Sequence, residues 1–296
     1  MQLTESILNY RRFLKRRNFS ELTIKNYLHR LKRFFCWTTT PVESTTVKEV
    51  KMYIDFMMEQ GMAPRTINCH LSSIRGYYDY LKDEGKLYID NPVVTGLLLR
   101  EPDPLPRYLP DRDVESFLDC VESVRDLAIF MLMLRCGLRV QEVVNLTLDV
   151  IDYRRSQIFI KAGKGAKDRM VFISHDAGVA LANYLRQRPV TKEKRIFLAE
   201  KGRCRGKPIS VRAIQKRVEM YATISNIPVT CHRLRHTMAT QLLNADADLV
   251  SIQEILGHSK IKTTQRYSKI SNLKVQRDYF HAMEKVMTNT ALNQLE

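Results

Sequence analysis

Residues 230–236 read Thr-Cys-His-Arg-Leu-Arg-His, so a typical helix-capping residue is followed at once by a cluster of basic and imidazole side chains. Thr230 as an N-cap predicts that His232 lies in the first turn of a helix. His232 and Arg235 stand three residues apart and therefore share one helix face. Because a helix N-terminus also attracts anions, the pair is suited to address one phosphate group.

Four further short motifs flank this stretch in a fixed order. They are Cys136-Gly-Leu-Arg139-Val-Gln-Glu142, Gly163-Lys164-Gly165, Leu256-Gly-His258 and Thr263-Thr-Gln-Arg-Tyr267. Each motif alone is weak evidence, but five ordered motifs over about 130 residues form a specific pattern. In type, order and spacing they resemble the tyrosine recombinase superfamily of phage integrases and Xer-like proteins, and the likeness covers nearly the whole chain.

The resemblance implies a fold that is mainly α with a small β-sheet (α+β), arranged as a C-shaped DNA clamp. It implies a helical core-binding (SAM-like) DNA-binding domain over residues 1–100 and a catalytic domain over residues 111–296. Between them, residues 101–110 contain Pro102, Pro104, Pro106 and Pro110. This stretch is predicted to be an extended linker, because proline lacks a backbone donor and disfavours helix in the preceding residue.

Apolar periodicity predicts the elements within these domains. The first hundred residues predict four helices, over 7–13, 22–35, 47–58 and 65–81, with Ser20, Thr46 with Glu49, and Pro64 as start signals. The second half predicts helices over 114–134 and 140–146, with more helix from 176 onward. Two β-rich runs, 157–161 and 169–173, predict a hairpin with a glycine-rich tip.

The resemblance implies a catalytic role for six side chains: Arg139, Lys164, His232, Arg235, His258 and Tyr267. The two arginines would clamp the scissile phosphate, and the tyrosine would attack it. The lysine would protonate the leaving 5′ oxygen, and the histidines would supply acid–base catalysis or hydrogen bonds. Glu142, one turn after the first arginine, would orient the guanidinium of that arginine.

These residue types meet the needs of phosphodiester cleavage without a metal or other cofactor. Such a site must neutralise the phosphate oxygens, supply a nucleophile and protonate the departing oxygen. A planar guanidinium donates two parallel hydrogen bonds to a phosphate. A phenol, with a pKa of about 10, attacks phosphorus well only where cations surround it. The attack would leave a 3′-phosphotyrosine and a free 5′ hydroxyl, and resealing would need no ATP.

Other interpretations remain open for individual residues. Arg139 could be a helix-start residue paired only with Glu142. Lys167 and Arg169 are rival candidates for the hairpin lysine. Tyr279 is the main rival for the nucleophile, although its apolar neighbours favour a packing role.

No metal site is expected. The spacing from His232 to His236 lacks the glutamate of a metalloprotease helix, and the adjacent arginines would repel a divalent cation. His236 is expected to be structural. The six cysteines lie 16 to 68 residues apart without a C-x-x-C pair, which favours reduced, mostly buried thiols.

The charge of the chain favours a nucleic-acid partner. With 48 basic and 32 acidic residues, the net charge is +16, so a polyanion is the first partner to consider. Residues 1–34 alone hold nine basic and two acidic residues, which favours contact with a DNA backbone over a merely solvated helix face. The candidate DNA-binding residues are Arg11, Arg12, Lys15, Arg16, Arg17, Lys25, Arg30, Lys32, Arg33, Lys167 and Arg169.

The expected activity is site-specific recombination of double-stranded DNA through a Holliday junction. A catalytically silent DNA-binding regulator on the same fold and a type IB topoisomerase-like enzyme are the alternatives. The resemblance implies a homodimer or homotetramer assembled on DNA through a C-terminal helix. The amphipathic stretch 275–286 could serve in this contact or fold back in cis.

No membrane segment is expected. The longest uninterrupted apolar stretch, residues 127–134, has eight residues, well short of the roughly 20 that span a bilayer. The N-terminus runs into Arg11 and Arg12 without an apolar signal region. The expected location is therefore cytoplasmic, in association with the nucleoid.

Overall fold

The computed structural model describes residues 3–85, 90–102, 107–161, 168–257, 279–280 and 283. The chain divides into two compact units, Met1–Asp103 and Pro104–Glu296. Each unit has a hydrophobic core of its own. The division falls within the proline-rich stretch 101–110, of which residues 103–106 lie outside the described residues.

The described residues form the mainly α fold with a small β-sheet that the sequence predicts. The helices are α1 (Leu3–Arg16), α2 (Glu21–Trp37), α3 (Val47–Glu59), α4 (Pro64–Asp83), α5 (Asp111–Asp119), α6 (Val124–Arg135), α7 (Val140–Asn145), α8 (His175–Gln187), α9 (Val211–Ser225), α10 (Cys231–Asn244) and α11 (Leu249–Leu256). The strands are β1 (Ile151–Asp152), β2 (Gln157–Ile160) and β3 (Arg169–Phe172). They form an antiparallel sheet in the order β1-β2-β3, with Ile158 opposite Ile151 and Val171.

The first unit is a bundle of α1–α4 whose start signals are confirmed. The Ser20 hydroxyl accepts a hydrogen bond from the Thr23 backbone N–H at 3.1 Å. Thr46 and Glu49 form a capping box, and Pro64 occupies the first turn of α4. The core of this unit is rich in aromatic rings, among them Tyr10, Phe34, Tyr53, Tyr77 and Tyr78.

The helical pattern predicted over residues 114–134 is divided between two helices, α5 and α6. Ser123 caps α6 by accepting a hydrogen bond from the Asp126 backbone N–H at 3.3 Å. Residues 128–134 are all buried, so this part of α6 is apolar on every side and lacks the periodic signal of a half-buried helix. None of the helices in the described ranges is long and apolar enough to cross a membrane.

Helix α6 lies at the centre of the second unit and packs against α8 and α10. The turn that follows it leads to Arg139. The turn after α6 needs Gly137, whose φ is +64°. A Cβ at Gly137 would lie 3.0 Å from Cδ2 of Leu256, so the end of α11 packs directly on this turn. The fold therefore brings the segments around Arg139 and Gly257 together.

Candidate active site

Helix α10 positions His232 and Arg235 as the sequence predicts. The Thr230 hydroxyl accepts a hydrogen bond from the Arg233 backbone N–H at 3.1 Å, and the helix begins at Cys231. His232 is exposed in the first turn, whereas Arg235, one turn later, is 2% exposed.

A cleft of about 510 Å³ opens beside this helix end. Arg139, His232 and Arg235 line it, together with Arg212 and Glu219 of α9. Three of the six predicted catalytic side chains therefore meet at one cleft, although they come from segments almost 100 residues apart in the chain. A cluster of this kind presents a positive surface to an anion.

The guanidinium of Arg235 is held by backbone carbonyls. Its Nη1 donates to the Gly137 carbonyl and its Nη2 donates to the Leu256 carbonyl. Burial of a charge is unfavourable unless hydrogen bonds compensate it, and these two carbonyls supply that compensation. The side chain is therefore fixed in orientation before any ligand binds.

Arg139 is the N-cap residue of α7 and is tied to Glu142. The Arg139 backbone N–H donates to Oε2 of Glu142 at 2.7 Å, and Arg139 Nη1 donates to Oε1 at 2.9 Å. Arg139 Nη2 donates to the Gly257 carbonyl at 3.0 Å. The Arg139 side chain is still 43% exposed at the cleft, so it is oriented by the protein and open to a ligand.

The second partner of Glu142 is Arg169, at the start of β3. Arg169 Nη1 and Nη2 donate to the two carboxylate oxygens at 2.7 and 2.8 Å, and Arg169 Nε donates to the Ile255 carbonyl at 2.8 Å. Burial alone would raise the pKa of Glu142, but the hydrogen bonds and charges of Arg169 and Arg139 outweigh it and lower the pKa to about 2. Glu142 is therefore a carboxylate at all ordinary pH values.

The sequence offers Arg169 as a DNA contact or as a rival to the hairpin lysine, and the structure places this side chain inside the protein. The Arg169 side chain is only 8% exposed, and its guanidinium is engaged by Glu142 and Ile255. The sequence groups Arg169 with its basic neighbours because charge patterns do not reveal a partner 27 residues away. One signal in the sequence is its place at the start of a predicted strand, where alternate side chains turn inward.

The imidazole of His232 is biased toward its neutral form. Burial, followed by the positive charges of Arg235 and Arg139, lowers the pKa of His232 below its ordinary value. The ring packs edge-on against His236 at 4.1 Å between centroids, which fits the structural role expected for His236. A neutral imidazole can accept a proton, and an incoming phosphate would favour its protonated form.

Four predicted site residues, Lys164, Lys167, His258 and Tyr267, lie outside the described residues. Helix α11 ends at Leu256, followed by Gly257 with φ +59°, directly before the predicted second histidine. The rival tyrosine, Tyr279, is 58% exposed, contrary to the expected packing role. Within the described ranges, no three His, Cys, Asp or Glu side chains group in a way that could hold a metal ion.

The predicted DNA-binding residues of the first unit lie mostly at its surface. The exposed ones are Arg11, Arg12, Lys15, Arg16, Arg17, Lys25 and Lys32. Arg30 and Arg33 are half-buried on α2. Helices α1 and α2 therefore carry a dense set of solvent-facing cations.

Comparison with known proteins assigns the chain to a class. Residues 107–273 match the model of the phage integrase family, and residues 7–85 match that of the phage integrase N-terminal SAM-like domain. Tyrosine recombinase XerA of Thermococcus kodakarensis is 30% identical over 289 residues, covering 96% of this chain and 98% of that protein. Tyrosine recombinase XerD of Pseudomonas putida is 34% identical over 239 residues, covering 76% of this chain and 77% of that protein.

A solved structure shows the same fold. The Tn1549 transposon integrase in complex with transposon right end DNA has a TM-score of 0.77 and 19% identity, covering 94% of this chain and 99% of that chain. The fold is that of tyrosine recombinases. The chain belongs to the phage integrase family and is a tyrosine-type site-specific recombinase.

Proposed function

We propose that this protein cleaves and rejoins double-stranded DNA at a specific recombination site, through a covalent 3′-phosphotyrosine intermediate and a Holliday junction, without a metal ion or ATP. The observation that carries the proposal is the cleft at which Arg139, His232 and Arg235 meet. Two guanidiniums fixed by backbone carbonyls are suited to bind one phosphate between them.

The arginines act on the charge that develops at phosphorus. Donors oriented in advance stabilise a transition state without reorganising during the reaction. In phosphoryl transfer a supplied arginine contributes about 10³- to 10⁵-fold in rate, or roughly 4 to 7 kcal/mol. Arg139 and Arg235 would each contribute on this scale.

In the proposed cleavage step, a tyrosine oxygen replaces the 5′ oxygen on phosphorus. The Tyr267 hydroxyl oxygen attacks phosphorus, and its proton passes to a base, for which neutral His232 is the candidate. The bond from phosphorus to the 5′ oxygen breaks, and Lys164 protonates that oxygen. His258 is proposed to donate a further hydrogen bond to the phosphate. Attack by the 5′ hydroxyl of the partner strand reverses these transfers and frees the tyrosine.

DNA binding is proposed to involve the exposed cations of α1 and α2, which would contact the phosphate backbone and release counterions. Solved relatives described as bound to transposon right end DNA or to a difH substrate support a duplex DNA partner. Assembly as a homodimer or homotetramer on DNA, through a C-terminal helix near residues 275–286, is part of the same proposal. Light scattering of the protein with and without its DNA site would measure this assembly.

The test is a recombination assay on a plasmid with two copies of the site, mapped by footprinting, in EDTA and without ATP. We expect strand exchange, together with a denaturation-resistant complex on a nicked suicide duplex. Tyr267→Phe should abolish both while leaving DNA affinity nearly unchanged, because only a hydroxyl is lost. Tyr279→Phe is the matched control and should retain both activities.

The failing outcomes are distinct. DNA binding without any covalent complex would identify a catalytically silent regulator. A covalent complex with relaxation of supercoils but no joining of sites would identify a topoisomerase-like enzyme. Strand exchange that stops in EDTA would refute the metal-independent mechanism.

A further inference from the structure

The C-terminal end of α11 accepts hydrogen bonds from three arginines on three other elements. The Ile255 carbonyl accepts from Arg169 Nε at 2.8 Å, and the Gly257 carbonyl accepts from Arg139 Nη2 at 3.0 Å. The Leu256 carbonyl, between them, accepts from Arg235 Nη2. The last carbonyls of a helix lack partners within the helix and carry partial negative charge, so they favour cationic donors.

Arg169 differs from the other two arginines because it does not line the cleft. Both of its terminal nitrogens bind the Glu142 carboxylate, at 2.7 and 2.8 Å. Glu142 in turn accepts from the backbone N–H and the Nη1 of Arg139. A continuous set of hydrogen bonds therefore runs from the end of α11 through Arg169 and Glu142 to Arg139.

The Arg169 side chain packs closely against the backbone of Gly257 at the end of α11. A Cβ at Gly257 would lie 2.9 Å from Cδ of Arg169 and 3.2 Å from its Nε. The Arg169 side chain is 8% exposed and that of Glu142 is 15% exposed, so solvent screens this pair little. Arg169 is thus packed as tightly as a core residue, although it carries a full charge.

We propose that Arg169 is a positioning residue for DNA cleavage, which fixes Glu142, and through it Arg139, against the C-terminal end of α11 without touching DNA. The inference rests on the function proposed above for the same cleft. It assigns to Arg169 a role opposite to the DNA contact that its charge suggests. Since His258 follows Gly257 in the chain, the same contacts also fix the point from which that segment departs.

The first test separates binding from chemistry in the intact protein. A 5′-labelled nicked duplex carrying the mapped site serves for both affinity and single-turnover formation of the covalent complex. Arg169→Met should leave the affinity and its salt dependence unchanged and should slow covalent complex formation by about 10²-fold, as expected for a misplaced catalytic group. Arg155→Met is the matched control, because Arg155 is a 78% exposed arginine in the turn between β1 and β2 of the same unit.

The second test is a pH profile that a merely structural role would not change. Among the described residues, the charged groups against Glu142 are Arg139 and Arg169. Burial raises the pKa of Glu142, and without Arg169 only Arg139 would remain to lower it. The pKa of Glu142 should therefore rise in Arg169→Met. The rate of Arg169→Met relative to wild type should then fall as the pH is lowered, and Glu142→Gln in the Arg169→Met background should remove this acid limb.

Folding of the variants is controlled in two ways. Arg169→Lys keeps the charge but lacks the two-pronged geometry, and should be folded and intermediate in rate. The double variant Glu142→Gln/Arg169→Met leaves no unpaired buried charge and should still unfold cooperatively, at a somewhat lower urea concentration than wild type because the Ile255 carbonyl loses its donor.

The outcomes that refute the inference are distinct from failure of the proposed function. If Arg169→Met or Arg169→Lys weakens DNA binding and reduces its salt dependence while cleavage at saturation stays normal, Arg169 is a DNA contact. If the variants cleave as fast as wild type, Arg169 has no positioning role. If the wild-type protein forms no covalent complex, the proposed function itself fails.

Discussion

Arg139 and Arg235 differ in how far their side chains are buried, although both are proposed to bind one phosphate. Arg235 is 2% exposed and satisfies the carbonyls of Gly137 and Leu256, so it is part of the core as well as of the cleft. Arg139 is 43% exposed and stands at the start of α7. Loss of either should remove catalysis, but loss of Arg235 should weaken the fold more, because two carbonyls then lose a buried donor.

This difference predicts separate effects for two matched substitutions. Arg139→Met and Arg235→Met should each slow formation of the covalent complex by about 10³-fold or more. Arg235→Met should in addition lower the free energy of unfolding by about 1–3 kcal/mol for each carbonyl left unpaired. Urea unfolding and suicide-substrate kinetics measure the two effects. Equal stability of the two variants would contradict the structural role of Arg235.

At the scale of elements, the C-terminal end of α11 contacts every described segment that carries a site arginine. The turn after α6 packs against it at Gly137, and the three arginines donate to its last carbonyls. Small displacements of this helix end would therefore move Arg139 and Arg235 together.

A glycine substitution tests this dependence. In Gly137→Ala the new Cβ would meet Cδ2 of Leu256 at 3.0 Å and Sδ of Met238 at 3.2 Å, so both side chains must shift where the end of α11 packs on this turn, and cleavage should slow. Gly61→Ala is the control, because Gly61 has a similar φ of +68° and its new Cβ would meet no other atom within 4 Å. Both variants should lose about 1–2 kcal/mol of stability to left-handed backbone strain. Unimpaired cleavage by Gly137→Ala would contradict the coupling.

Within the first unit, α4 carries a pH-sensitive group. His70 is 4% exposed and lies 3.1 Å from the Tyr53 hydroxyl. Burial, followed by the charges of Arg33, Arg30 and His29, lowers the pKa of His70 from 6.5 to about 4. In the folded state the His70 ring therefore stays neutral down to a pH of about 4, whereas in the unfolded chain it takes up a proton below about pH 6.5.

The stability of this bundle should consequently fall as the pH is lowered from about 6.5 to about 4, by roughly 3 kcal/mol in total. Trp37, the single tryptophan, packs against the core of the bundle, so its fluorescence in the intact chain reports urea unfolding of this unit. In His70→Gln the decline should be largely absent. A decline of the same size in that variant would assign the pH dependence to other groups.

The sequence predicts what local chemistry determines and misses what the tertiary structure determines. Thr230, Ser20 and the Thr46–Glu49 capping box specify their helix starts within a few residues, so local patterns predict each of them. The break at Ser123 escapes prediction because the apolar run 127–134 continues the helical pattern of the preceding residues, and the two-residue strand β1 is too short to form a pattern. The surroundings of Arg169 escape prediction because its partners come from α7 and α11, which no local pattern brings next to β3.

At the scale of the whole molecule, charge governs the approach to DNA. The net charge of +16 gives long-range attraction to a polyanion, and the exposed cations of α1 and α2 are the proposed contacts at short range. Binding should therefore weaken as salt concentration rises, because each released counterion gains less entropy when it enters a more concentrated salt solution.

The contribution of α1 is measurable by neutralising one face of it. Arg12→Gln/Arg16→Gln should weaken binding and reduce the slope of log K against log salt concentration by about 0.9 for each phosphate that is no longer neutralised. Lys48→Gln/Lys51→Gln, on exposed positions of α3, is the control for removal of two charges. Identical slopes for the two double variants would contradict a specific role of α1.

The identity of the nucleophile is the most direct test of covalent catalysis at this cleft. The protein is trapped on a nicked suicide duplex, digested with protease and nuclease, and the nucleotide-bearing peptide is sequenced by tandem mass spectrometry. We expect a 3′-phosphonucleotide on Tyr267. The same adduct on Tyr279 or on any other side chain would contradict the proposed mechanism.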